Sequence, residues 1–84
     1  MDSKSHEALR SAEFGRAIQR RRKALRLTQP EASRLSGSSV DFIVDLEAGK
    51  ETVRFDKVLD VIAVLGLGLH LDESTNALTV GKDL

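Results

Sequence analysis

The segment from Leu27 to Lys50, LTQPEASRLSGSSVDFIVDLEAGK, leaves the backbone little choice, because it carries two sets of helix start and stop signals in succession. Thr28 can cap a helix, and Glu31 completes a capping box in which each side chain satisfies a backbone N–H of the other residue. Pro30 is tolerated in the first turn, where its missing N–H has no helical acceptor to lose. Gly37 supplies a left-handed stop after two turns. Ser39 then caps a further helix, Val40 to Ala48, with Ile43 and Leu46 facing inward and Gly49 as its stop. Two short helices joined by a Gly-containing turn make a helix-turn-helix unit.

The flanks are read from periodicity. Phe14, Ile18, Arg22 and Leu25 follow spacings of four, four and three, the face of a helix that starts at an N-cap Ser11, carries Glu13 in its first turn and ends near Leu25. Residues 1–10 are polar and unpatterned and are expected to be a flexible N-terminal segment. A fourth helix is expected from about Arg54 to Leu65, stopped by Gly66, with Val58, Val61, Ile62 and Leu65 as its stripe. Leu59, Ala63 and Val64 cover much of the rest, so this helix should be buried on two sides, against the core and against a second copy of the chain.

LGLHLD then alternates, Leu67, Leu69 and Leu71 on one face and Gly68, His70 and Asp72 on the other, which signals a strand. ALTV, Ala77 to Val80, is a second strand candidate. A lone strand on a helical domain has no sheet to join, so pairing with the same strand of a partner is expected. Val61, Val64, Leu67, Leu69 and Leu71 form the expected dimer interface. The organisation is therefore a flexible segment 1–10, a helix-turn-helix domain 11–66 and a C-terminal strand, dimerisation segment and tail 67–84.

Composition narrows the function. The chain has 84 residues, 40% hydrophobic and 31% charged, as expected of one soluble globular domain. It contains no cysteine, so disulfides, thiolate metal sites and cysteine nucleophiles are excluded. Three Phe without Tyr or Trp are too few for a stacking platform on single-stranded nucleic acid. The two histidines are His6, in the N-terminal segment, and His70, an expected surface residue; no metal or cofactor is expected. No nucleophile–base pair or phosphate-cradling glycine loop suggests an enzyme. The polar N-terminus and the lack of an apolar run of about 20 residues point to a cytoplasmic chain with no membrane partner. The net charge is zero, yet Arg16, Arg20, Arg21, Arg22, Lys23 and Arg26 cluster with no acidic residue among them. That cluster suits an anionic partner, or equally a solvated helix face.

Three stretches, RRRKALRLTQPEA, the pattern F-I-x-D-L-E-x-G-K from Phe42 to Lys50, and TVRFDKVLDVIAVLGLGL from Thr52 to Leu69, together resemble the lambda-repressor-like (Xre) family, most closely its HipB-type antitoxins. The resemblance spans about Phe14 to Asp72. It implies an all-α, lambda-repressor-like bundle of four to five helices with a C-terminal β-strand pairing across a homodimer. It implies a sequence-specific repressor that binds a palindromic operator in double-stranded DNA and autoregulates its operon. The HipB branch adds a HipA-like serine/threonine kinase toxin as partner. Residue by residue, Ser39, Val40, Asp41, Val44 and Asp45 correspond to base-reading positions. Thr28, Gln29 and Ser38 lie where phosphate contacts fall, Lys50 near the DNA backbone, and Arg22 and Glu47 where the family has a structural ion pair. The alternatives are a stand-alone phage-like or controller-type repressor, and a protein-interaction antitoxin with weakened DNA binding.

The chain departs from that pattern at several positions. Position 26 is commonly Gly in the family because the backbone turns there with positive φ, and here it is Arg26. Ala32, Ser36 and Ser38 replace larger residues and imply a lightly packed motif core. The reading positions hold Asp41 and Asp45 and no Lys or Arg. Carboxylates repel phosphates but can accept from a cytosine N4 amino group, while Val40 or Val44 can meet a thymine methyl. Affinity would then come from Arg20, Arg21, Lys23, Lys50, Arg54 and the N-termini of the two short helices. Phe42 either flanks this edge or packs inward.

Overall fold

The computed structural model describes the backbone at residues 3–72 and 77–82 and side chains at residues 10–70. Its order is α1 (Ser3–Ala24), α2 (Gln29–Ser36), α3 (Val40–Glu47), α4 (Phe55–Val64), β1 (Leu67–Asp72) and β2 (Ala77–Lys82). This is a small helix-turn-helix bundle carrying a C-terminal hairpin.

The local signals fold as their chemistry requires. Thr28 Oγ1 accepts from the Glu31 N–H at 3.1 Å, and the Thr28 N–H donates to Glu31 Oε1 at 2.9 Å. These Thr28 bonds hold the Glu31 carboxyl below its usual range. Gly37 closes α2 at φ 70, and Ser39 Oγ accepts from the Phe42 N–H at 3.1 Å to open α3. Arg26 has a φ of 60 and is the one positive-φ residue other than glycine among those described. The turn out of α1 thus places a Cβ in the left-handed region.

Ile18, Ala32, Ile43, Leu46, Val58, Val61, Ile62 and Leu65 form the buried core. Phe42 packs against that core rather than standing free beside α3. The core of the α2–α3 unit is small and polar but fully bonded: Ser36 Oγ donates to the Ala32 carbonyl at 2.8 Å and lies 2.8 Å from Ser38 Oγ. Gly15 is where α1 meets α3, since a Cβ there would collide with the backbone carbonyls of Leu46 and Glu47. That close approach brings the buried Arg22 and Glu47 together. Arg22 Nε and Nη2 donate to Glu47 Oε2 and Oε1 at 2.6 and 2.9 Å, and Nη1 donates to the Leu27 carbonyl at 2.8 Å. One guanidinium therefore ties α1, the α1–α2 turn and α3 into a unit. Removing either partner would leave a buried charge unpaired, which costs several kcal/mol, on the order of 3–5.

Several expectations are corrected. The helix does not start at Ser11: α1 already runs from Ser3, so Ser11 and Glu13 are interior positions and the segment 1–10 is helical from Ser3 on. Lys4, Glu7, Ala8, Leu9 and Arg10 have good helix propensity and no Gly or Pro interrupts them, so the helix extends through them ahead of Ser11. Leu25 lies past the end of α1 and is exposed. β1 pairs antiparallel with β2 of the same chain, from Leu67 opposite Lys82 to Asp72 opposite Ala77, so it is not the lone strand that the alternation suggested. A hairpin closes a short loop, which costs less entropy than joining two molecules.

The expected dimer face changes with it. Val61 is only 1% exposed and is consumed by its own core, and Leu67 and Leu69 pack on that core too. Val64 is half-buried, and the side chain of Leu71 lies outside the described residues. The apolar residues that α4 leaves exposed are Phe55 (60%), Leu59 (41%) and Ala63, four residues apart and so on one face, with Asp56 and Asp60 exposed beside them. No described helix is long and apolar enough to cross a membrane.

Candidate nucleic-acid interface

The 3.6-residue period divides α3 sharply. Ile43, Leu46 and Glu47 point inward, while Val40 is 38% and Val44 41% exposed and Asp41 is exposed beside them. Asp45 is half-exposed, and Lys50 Nζ donates to its Oδ2 at a long 3.4 Å. No described hydrogen bond or ion pair engages the Asp41 carboxylate. The outward face is thus two parallel rows, Val40 with Val44 and Asp41 with Asp45. Each row has the i,i+4 spacing of a helix ridge. The exposed Ser39 keeps its hydroxyl on the Phe42 N–H, and Ser38 is half-buried with its hydroxyl against Ser36.

The cationic set is only partly available to phosphates. Arg20 and Lys23 are exposed, and Arg16 joins them at i, i+4, i+7 to form one basic stripe on α1. Arg16 stood in the basic cluster of the sequence but was not singled out; the helical spacing from Arg20 identifies it.

Arg21 is drawn elsewhere. Its Nε donates to the Leu65 carbonyl at 2.8 Å, capping the C-terminus of α4, where a cation meets the negative end of the helix dipole. Arg54 is exposed but forms two hydrogen bonds to Asp56, at 3.2 and 2.7 Å. Through these the guanidinium holds the Asp56 carboxyl below its ordinary value.

Gln29 Nε2 donates to Glu47 Oε1 at 3.2 Å, adding a third contact to the buried carboxylate instead of reaching outward. The Thr28 hydroxyl belongs to the capping box. Both helix N-termini already carry an acid in the first turn, Glu31 on α2 and Asp41 on α3, which blunts their pull on a phosphate.

One apolar groove of about 210 Å³ is lined by Phe14, Leu46, Val53, Phe55, Val58 and Leu69 together with Arg10, Lys50 and Glu51. It is smaller than most small-molecule sites, which run from about 300 Å³ upward.

Comparison with known proteins agrees with this geometry. Residues 13–74 match the model of a helix-turn-helix domain family, a span that contains α2, α3, α4 and β1 whole. A protein of Sinorhizobium fredii (strain NBRC 101917 / NGR234), named as the uncharacterized HTH-type transcriptional regulator y4mF, is 40% identical to this chain over 60 residues, which covers 71% of this chain and 79% of that protein. With more than half its length in the match, and a bundle that turns one face of α3 outward, the chain belongs to the helix-turn-helix domain family.

Proposed function

We propose that this protein is a DNA-binding transcriptional regulator that represses its own operon, binding a palindromic operator as a homodimer through α3. The observation that carries this is the outward face of α3. The rest of the helix is locked inward by Ile43, Leu46 and the Arg22–Glu47 pair, so Val40, Asp41, Val44 and Asp45 are held at the surface as a rigid edge. The relative's description as a transcriptional regulator supports the same role. Arg16, Arg20 and Lys23 supply phosphate attraction, and Asp41 and Asp45 discriminate by accepting from base amino groups. The exposed stripe Phe55, Leu59 and Ala63 supports association of two copies. The resemblance to HipB-type antitoxins supports a HipA-like kinase as the toxin partner of the same operon.

A second reading has its own support: the carboxylates on α3 and the diversion of Arg21 to α4 both weaken attraction to DNA. On that reading the chain acts mainly by binding a protein partner, beginning with such a kinase.

The two separate in a titration of the protein against duplex from upstream of its own gene and against a scrambled duplex, across a salt series. Operator binding is expected to give a clear preference for the upstream duplex. Three cations from each of two protomers correspond to a log–log salt slope of about −5. Equal and weak binding to both duplexes would sink the repressor reading in favour of the protein partner.

A further inference from the structure

We propose that α3 reads a cytosine whose N4 amino group stands beside a methyl group, so that cytosine methylated at C5 is the base this edge fits best. The inference rests on α3 being the DNA-reading helix. It follows from the two rows of the exposed face. A carboxylate only accepts hydrogen bonds, so Asp41 and Asp45 select amino donors and repel acceptors. Val40 and Val44, 38% and 41% exposed, can contribute only apolar contact. Asp41 and Val44 are i,i+3 neighbours, with Cβ atoms about 5–6 Å apart, so one base edge can meet both.

The major groove offers few matches to such a pair. Guanine presents the acceptors N7 and O6, and thymine sets its O4 acceptor next to its methyl; both meet a carboxylate unfavourably. Adenine N6 is a donor, but across an A·T pair the O4 acceptor separates it from the thymine methyl. In a C·G pair the N4 donor is the last polar group before the C5 edge of cytosine. A methyl at C5 therefore lies directly beside the donor, where a valine next to an aspartate would meet it. The same donor–methyl juxtaposition can come from unmodified DNA when a thymine adjoins the cytosine on one strand. The acidic edge thereby becomes a selector: it lowers affinity for duplexes in general and restores it where donor and methyl coincide.

The test is selection of tight-binding duplexes by the full chain from two random pools, one made with cytosine and one with 5-methylcytosine throughout. Affinities are then measured for each selected duplex in both forms. A fixed cytosine position is expected in both pools, adjoined by thymine in the unmodified one. Methylating that cytosine should tighten binding about fourfold per half-site, the worth of one buried methyl. Val44→Ala should erase most of the methyl gain and keep the cytosine. The double variant Asp41→Ala, Asp45→Ala should lose the cytosine preference while binding duplexes that lack that cytosine more tightly. Circular dichroism checks that these surface variants fold.

A selected A·T pair in place of that C·G pair, or a C·G preference that survives the double Asp→Ala variant and so reads the guanine acceptors, would overturn the inference while leaving α3 a DNA reader. So would a cytosine whose methylation is neutral or weakens binding. No enrichment from either pool would remove DNA reading itself, and the inference with it.

Discussion

Arg26 shows how a single residue can be read from sequence and still hold something back. The family resemblance, which commonly has Gly at this position, implied a positive φ here, and the structure gives φ 60. A Cβ in that region costs about 1–2 kcal/mol, whereas glycine loses roughly 0.5–1 kcal/mol more backbone entropy on folding. The first effect is the larger, so Arg26→Gly is expected to stabilise the fold by about 0.5 kcal/mol. Urea denaturation reads this as a higher midpoint at unchanged slope. A lower midpoint would mean that the Arg26 side chain contributes more than its backbone strain removes. The neighbouring arginines divide less legibly. Arg20, Arg21 and Arg22 are consecutive in the sequence, yet one faces solvent, one caps α4 and one is buried on Glu47. Helical phase separates them, but which neighbour each phase meets depends on how α1 packs against α3 and α4.

At the scale of elements, what the chain writes locally was readable and what it settles at a distance was not. α2 and α3 are bounded by side chains within a few residues of their ends, Thr28 with Glu31, then Gly37, then Ser39, so their limits follow from the sequence. α1 runs straight through the cap signal at Ser11, because the residues before it favour helix too, and the strand partner of β1 depends on a pairing that alternation alone cannot assign. Gln29, which the resemblance set against a phosphate, donates to Glu47 for a reason the sequence does not carry, because that acceptor is brought to it only by packing. The capping box also makes a prediction in acid. Glu31 lies below its ordinary value of 4.5, chiefly through the bond from the Thr28 backbone. Its ionised form therefore favours the folded state. That contribution is complete above the unfolded value and is lost as pH falls through the lower, folded one. Glutamine keeps the acceptor without the titration, so Glu31→Gln should flatten the decline of thermal stability below about pH 4.5. Some slope should persist, because Asp56 is lowered in the same direction by Arg54. Melting curves that fall in parallel for both proteins would show that Glu31 binds its proton equally in the folded and the unfolded chain.

For the molecule as a whole, the open matter is what covers α4. Its inner face is satisfied: Val58, Val61 and Ile62 are buried in a core that a chain of 84 residues can only make small. Its outer face carries Phe55, at 60% exposure, in line with Leu59 and Ala63, an apolar stripe that water covers poorly. With Val61 withdrawn into the core and β1 paired within the chain, this stripe is the surface on α4 left to join two copies. Sedimentation at micromolar concentration is expected to show a dimer, and Leu59→Glu to give a folded monomer, since a carboxylate at that seam would lose its water on association. The consequence reaches the DNA. A monomer presents Arg16, Arg20 and Lys23 once rather than twice, so the salt slope of Leu59→Glu should fall to about half that of the parent. Affinity should drop steeply with it, because an acidic reading edge leaves each half-site weak alone. If the parent chain itself sediments as a monomer, the stripe belongs to another partner, and a palindromic operator is no longer required.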